Sequence, residues 1–159
     1  MSGDIVSNIG TRIFIGPVVT ATPDTKTEYE ALTYVEIGLV ESLGEFGDES
    51  GSGTFTSLND GRVRKYKNVR DAGNLALTVA RDVTDPGQTA LVAAEATRNG
   101  KYAFKVVYPD RLTENGTDGA DYFRALVRSK RNNPGAGGNV LRRSFMIDID
   151  SAIVEVDPT

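Results

Sequence analysis

Residues 101–108, KYAFKVVY, alternate between two kinds of side chain. One set is apolar or aromatic and the other is mostly basic: Tyr102, Phe104, Val106 and Tyr108 against Lys101, Ala103 and Lys105. Neighbouring side chains of a strand point to opposite sides, so this alternation predicts a strand with one face in a core.

The same alternation recurs at five other places in the chain. The predicted core faces are Ile13 and Ile15; Thr33, Val35, Ile37 and Leu39; Leu75, Leu77 and Val79; Phe123, Ala125 and Val127; and Phe145, Ile147 and Ile149. After the last of these strands the apolar set moves to Ala152, Val154 and Val156. A face that slips by one residue predicts a bulge or bend, here near Ser151.

One segment, at about 85–99, has the pattern of a helix instead. Asp85 fits the N-cap, Pro86 the first helical position and Gln88 the third residue of a capping box, while Gly100 fits the C-cap. The predicted fold is therefore mostly β, a sandwich or barrel of roughly seven or eight strands with one packed α-helix. We expect a single domain over 11–159, preceded by a loose N-terminal arm at 1–10.

The composition excludes several kinds of site. The 159 residues include no Cys and no His. Disulfides, thiolate metal sites and the usual general base at neutral pH are therefore absent. No spacing of carboxylates indicates an enzyme, so we expect no catalytic residue, no metal and no cofactor. No apolar run is long enough to span a membrane, and no membrane partner is expected.

The formal net charge of −4 is unevenly distributed. Residues 1–60 hold ten acidic side chains against Arg12 and Lys26, whereas residues 61–159 hold twelve acids and sixteen bases. Two interpretations stay open. The opposite charges either cancel within the fold, or they form two surfaces suited to head-to-tail self-association.

The stretch GEFGDESGSG, at 44–53, does not have the composition of a core element. It holds four Gly, two Ser and three acids, and it is predicted to be a long loop. Such a loop is either a disordered tip or a binding element that a partner orders. Phe46 favours the second interpretation, because a solvated acidic loop has no need of an aromatic side chain.

Three blocks of this sequence together resemble the major tail tube protein of long-tailed bacteriophages. They are EYEALTYVEIGLVESLGEFGDES at 28–50, DGRVRKYKNVRDAGNLALTVARDVTDPGQTALVAAEA at 60–96, and the strand-rich remainder at 101–111 and 121–156. The resemblance lies in the order, spacing and composition of the segments: a long loop, then a basic strand, then a Pro-capped helix on a β scaffold. None of the blocks is a catalytic signature.

The resemblance implies a structural virion protein. Six copies would form a ring, with strands closing a large β-barrel between subunits, and the rings would stack into a hollow tube. Implied partners are copies of itself and other tail proteins (tape measure, terminator and distal tail proteins), while double-stranded DNA passes through without specific binding. The implied location is the virion tail, and the host cytoplasm during assembly.

The same resemblance makes the region at about 41–73 a loop that joins one ring to the next. The basic run at 62–70 would grip DNA poorly in a conduit, because each neutralised phosphate adds affinity. We predict instead that bases of this run meet acids of a subunit in the neighbouring ring, so that reversing Arg64 and Lys65 to Glu blocks polymerisation. The predicted inter-ring contacts are Glu45, Phe46, Asp48, Glu49, Arg62, Arg64, Lys65 and Lys67. A solvated hairpin without a partner is the alternative.

Asp148 and Asp150 are candidates for a lumen wall. They alternate with the predicted core set of the last long strand, so six copies would place rings of carboxylate along the DNA path, and like charge repels phosphate. A solvated or subunit-facing edge is the alternative position. Rival functions are a tube ring of a secretion system, a capsid decoration protein or monomeric β-sandwich binding module, and a DNA-binding module, which the acidic balance disfavours.

Overall fold

The computed structural model describes residues 5–159. In that part of the chain ten strands and two helices follow one another. Their bounds are β1 Arg12–Val19, α1 Lys26–Glu30, β2 Val35–Glu36, β3 Val40–Leu43, β4 Glu49–Thr56, β5 Val63–Asp71, β6 Asn74–Ala80, α2 Pro86–Ala96, β7 Lys101–Val107, β8 Ala120–Asn133, β9 Arg142–Ile149 and β10 Val154–Val156.

Eight of the strands form one antiparallel sheet in the order β2-β1-β7-β8-β9-β6-β3, with β10 also pairing with β8. The two end strands, β2 and β3, are not paired with each other, so the described chain forms an open sheet and not a closed barrel. Strands β4 and β5 pair only with each other and form a separate hairpin. The prediction of a mostly β fold is confirmed.

The main core lies on one face of the large sheet. Apart from the face at 101–108, the sequence predicted five core faces, and four of these are buried here. Phe104 and Val106 of β7 belong to the same core. The rings of Phe104 and Phe123 stack with their centroids 5.7 Å apart. Helix α2 covers this face with Leu91 and Ala94, both fully buried. Period-two alternation thus identifies the core correctly along β1, β6, β7, β8 and β9.

The start of α2 agrees with the prediction, but its end does not. The side chain of Asp85 accepts a hydrogen bond from the backbone N–H of Gln88 at 2.9 Å, as an N-cap should. The helix ends at Ala96, and Thr97 leaves it in an extended conformation. Gly100 is therefore not the C-cap, because the chain has already turned away three residues earlier.

The predicted strand at 33–39 was wrong. It splits into β2 and β3 at Gly38 and Leu39, and Leu39 has a φ of +55°. Of its predicted core face only Ile37 is buried. The cause lies about fifty residues along the chain, because Gly38 donates its N–H to Asp85 at 3.1 Å and accepts from the side chain of Gln88 at 3.0 Å.

A second helix, α1, is present that the sequence interpretation did not include. Thr25 caps it by accepting from the N–H of Glu28 at 3.4 Å. Its Tyr29 is fully buried and stacks on Tyr122, with the ring centroids 5.5 Å apart. This contact belongs to a smaller core on the opposite face of the sheet, built from α1, β7 and β8.

The predicted irregularity near Ser151 is confirmed. Ala125 pairs with Ile149 and Tyr122 pairs with Val154, so three steps along β8 face five steps along the returning chain. The hydroxyl of Ser151 fills the gap by accepting from the N–H of Arg124 at 2.9 Å. Strand β10 therefore continues along the same edge of β8 after a bulge.

Candidate interaction surfaces

The β4–β5 hairpin stands apart from the core of the domain. All nine residues of β5 are exposed, and none of the residues of β4 is buried. A two-stranded hairpin on its own is marginally stable in water. This hairpin therefore has the exposure of a segment that a contact outside its own chain stabilises.

The register gives the hairpin two different faces. Residues directly opposite in an antiparallel pair share a face. Phe55 with Arg64 and Gly53 with Tyr66 form what we call the aromatic face. A Cβ added at Gly53 would lie 2.3 Å from the Tyr66 ring, so the ring rests on the glycine backbone. The lysine face carries Thr54, Thr56, Val63, Lys65 and Lys67.

The hairpin also exposes a concentration of large apolar side chains. Single exposed apolar residues are ordinary, but clusters of them mark interaction sites. Five lie between residues 55 and 69, which is a small part of the chain: Phe55, Leu58, Val63, Tyr66 and Val69. None of these five was among the predicted contacts. The NDG turn at 59–61 is the signal in the sequence that indicates a hairpin here.

The predicted acidic and basic contacts lie in this hairpin or in the segment just before it. Asp48 pairs with Arg70 at 2.8 Å, and Arg64 pairs with Asp60 at the same distance. Glu49 begins β4, so the acidic stretch is not the loose loop that its composition predicts. Glu45 is exposed just before the hairpin, and Arg62 lies in its turn. Lys65 and Lys67 form no ion pair with any described residue, and their charges point to solvent.

Phe46 packs against the edge of the domain core. Its ring packs against Phe123 with the centroids 5.6 Å apart, and the side chain is half-buried against the main cluster. The part of Phe46 that stays exposed faces the edge of the sheet, and its predicted contact with a neighbouring subunit stays a prediction. The aromatic residue in the acidic stretch thus anchors the base of the hairpin to the sheet.

The second face of the sheet is covered over only part of its width. Residues of the smaller core come from α1, β1, β7, β8 and β10, and none comes from β6 or β9. On β6 and β9 that face carries mostly small and polar side chains, including Thr78, Ser144 and Asp148, together with Met146. These are only partly buried. This open face is the natural candidate for contact with water or another surface.

The two predicted lumen residues each have a basic partner. Asp148 lies on the open face and pairs with Arg128 at 2.9 Å. Asp150 lies beyond the end of β9 and pairs with Lys101. The charge of each carboxylate is therefore offset locally by a basic side chain.

Two raised pKa values occur where β7 ends and β8 begins. Burial raises the pKa of Asp121, and nearby Glu155 and Asp110 raise it further, although a 2.6 Å hydrogen bond from Tyr108 acts in the opposite direction. Burial likewise raises the pKa of Tyr108. Among residues 5–159 no cluster of carboxylates has the arrangement of a metal site. No helix there is long and apolar enough to cross a membrane.

Neither a known protein-family model nor a curated protein sequence matches the chain. Solved structures do match it. The SPP1 tail tube superposes with a TM-score of 0.67 at 13% identity, covering 96% of this chain and 80% of that one. The chain has the tail-tube fold.

Two further structures share this tail-tube fold. A chain from the sheath/tube terminator of the PVC extracellular contractile injection system superposes with a TM-score of 0.69 at 9% identity, covering 98% of this chain and 99% of that one. A chain from the six-fold symmetrised baseplate of the anti-feeding prophage gives 0.67 at 12% identity, covering 99% and 98%. The tail-tube fold therefore occurs in phage tails and in contractile injection systems with nearly equal structural similarity to this chain.

Proposed function

We propose that this protein is a structural subunit of a hollow tail tube, which self-assembles and performs no chemistry. The observation that carries the proposal is the hairpin, which has no core of its own and exposes five large apolar side chains. A monomer gains nothing from such a segment, whereas an assembly buries it. The tail-tube fold supports the same function, because the matched structures are parts of tubes, terminators and baseplates.

The proposal extends to a finer arrangement, which features of the sheet support. Six copies form a ring, and rings stack so that the hairpin of one ring meets the next. The unpaired edges of β2 and β3 support closure of strands between neighbouring subunits, because free edges are a hazard in an isolated chain. The open face of β6 and β9 lines the lumen, where water solvates its polar side chains.

The electrostatics of this lumen differ from rings of free carboxylate. Since Arg128 offsets Asp148, the wall is a mixture of paired charges and small polar side chains. Such a wall neither attracts nor strongly repels phosphate, and DNA slides along it without specific binding. In the virion tail this tube would conduct DNA to the host.

A tube of a contractile injection system is the second candidate. It is favoured by one observation, the TM-scores of 0.69 and 0.67 against chains of two such systems. The two candidates predict the same rings and differ in what surrounds the tube. A sheath protein encoded beside this chain would favour the contractile system.

Negative-stain electron microscopy of the purified protein over a concentration series tests the proposal. We expect six-fold rings or hollow tubes at high concentration. The variant Lys65→Glu with Lys67→Glu should remain a folded monomer, because both lysines are exposed and lie on one face of the hairpin. It is preferred to a change at Arg64, which pairs with Asp60.

The matched control reverses two exposed bases far from the hairpin, Arg81→Glu with Arg98→Glu. This control should assemble like the parent protein. A parent protein that stays a small single particle at all concentrations would contradict the proposal and favour a decoration or binding module.

A further inference from the structure

A groove of about 680 Å³ lies between residues 6–11 and strand β3. Its apolar lining includes Val6, Ile9, Val40 and Leu43. Val6 and Ile9 are 57% and 84% exposed, so this apolar surface is open to solvent. An isolated chain has no reason to leave such a groove uncovered beside an edge strand.

The charge of the groove is one-sided. Glu41 and Asp110 are part of its lining, and none of the described residues that line it is Lys or Arg. Arg142 pairs with Glu41 and offsets its charge, so the negative charge of the groove comes mainly from Asp110, which accepts from the N–H of Gly119 at 2.7 Å. A ligand that fits this groove is therefore apolar with basic residues around it.

The tip of the hairpin has these properties. Phe55 and Val63 are 62% and 54% exposed, and Leu58 in the turn is fully exposed. Arg62 and Lys65 stand beside them and are exposed as well. The one acid of the turn, Asp60, is already paired with Arg64. The tip is thus an exposed apolar surface with an excess of positive charge beside it.

The hairpin does not fill the groove of its own chain. The groove is lined by residues up to Phe46 at the base of the hairpin, and by no described residue of β4 or β5. Eight residues of β4 carry the tip roughly 25 Å from that base. The tip and the groove are therefore two separate surfaces that a single chain leaves unpartnered.

The geometry points to one occupant for the groove: the β4–β5 hairpin tip of a second copy of this chain. This inference rests on the proposed function and identifies the acceptor surface for the hairpin. The contact is heterologous, because it joins two different surfaces, and it propagates from copy to copy. Apolar burial supplies the affinity, and the opposite charges of tip and groove select the orientation.

Cysteine cross-linking tests the inference, since the natural chain has no Cys. One copy carries Leu58→Cys in the tip, and a second copy, lengthened by a tag, carries Ser42→Cys in the groove. The two are mixed under reducing conditions, allowed to assemble and then oxidised. We expect a mixed disulfide dimer on a non-reducing gel, at a yield at least tenfold above that of Leu58→Cys mixed with Ala93→Cys on α2. Adding Phe55→Ala to the tip copy should lower that yield.

Each outcome bears on the inference. Assembly without the mixed dimer, or with tip-to-tip dimers only, overturns the groove as acceptor and leaves the tube function intact. Failure of the natural chain to assemble at all overturns both. If Leu58→Cys itself prevents assembly, Asn59→Cys takes its place in the same turn, and the same expectations apply.

Discussion

The large sheet and the β4–β5 hairpin are both antiparallel, yet they obtain their stability from different sources. Side chains such as Phe104, Phe123 and Leu77 are completely buried in the sheet. In the hairpin every residue of β5 is exposed. Apolar burial is the main favourable contribution to folding, so the sheet is self-sufficient and the hairpin is not.

Because of this difference, we expect substitutions in the sheet to affect folding and substitutions in the hairpin to affect assembly. Substitutions in the sheet should change the free energy of unfolding of the monomer. Substitutions in the hairpin should leave that quantity almost unchanged and act on association. A test of each region with a side chain of the same type makes the comparison direct.

The largest effect on folding is expected for Phe123→Ala. This side chain is fully buried between Phe104 and Phe46, and its loss leaves a cavity. We expect a loss of about 3–5 kcal/mol in the free energy of unfolding. Urea denaturation followed by circular dichroism measures it.

Phe55→Ala is the matched change in the hairpin. Because Phe55 is 62% exposed, the free energy of unfolding should change by less than about 0.5 kcal/mol. The concentration needed for assembly should rise about tenfold, corresponding to about 1.4 kcal/mol per contact. A large loss of monomer stability from Phe55→Ala would show that the hairpin belongs to the folding core.

The second-largest effect on folding, after that of Phe123→Ala, is expected for Gln88→Ala. The buried amide donates to the carbonyls of Gly38 and Ala80 at 3.0 and 2.9 Å, and it accepts from the N–H of Asp82 at 3.0 Å. Its removal leaves these backbone groups without partners, and we expect a loss of about 2–4 kcal/mol. Thermal unfolding should show it, whereas Thr89→Ala, one residue along on the exposed side of α2, should cost far less.

The smallest effect is expected for Asp121→Asn, at the rim of the sheet. Because the folded-state pKa of Asp121 is raised, its ionisation disfavours the folded state above that pKa, and this penalty disappears as the pH falls. The variant should therefore be a few tenths of a kcal/mol more stable at pH 7, after allowance for solvent screening. The amide oxygen of Asn can still accept from Tyr108. The advantage should shrink as the pH falls through the folded-state pKa of Asp121 and vanish below its lower, unfolded-state pKa, which denaturation at pH 7 and pH 3 can check.

The sequence pattern located the parts of the fold that depend on local alternation. The core residues of β6 and β8 and the N-cap Asp85 follow from spacing alone. The break between β2 and β3 could not be found in this way, because it depends on hydrogen bonds from Asp85 and Gln88 on a distant helix. Helix α1 was missed although Thr25 and Glu28 have the spacing of a capping box.

The candidate contact surface was located in part. The basic strand follows from the sequence, and the structure has it as β5 at Val63–Asp71. The partner strand β4 could not be predicted, because Gly and Ser have low strand propensity and pairing with β5 determines its conformation. The exposure of Phe55 and the burial of Phe46 both depend on that pairing and on the sheet beneath it.

Removing the hairpin tests the central claim most directly. Gly47 donates its N–H to the carbonyl of Ala72 at 3.4 Å, so the two ends of the hairpin are adjacent, and a Gly-Ser linker can replace residues 48–71. The shortened chain and the parent would be compared by light scattering and electron microscopy at the same concentrations. We predict that the shortened chain keeps the cooperative unfolding of the parent and remains a monomer, while the parent forms rings or tubes. Tubes from the shortened chain, or its failure to fold, would contradict the account.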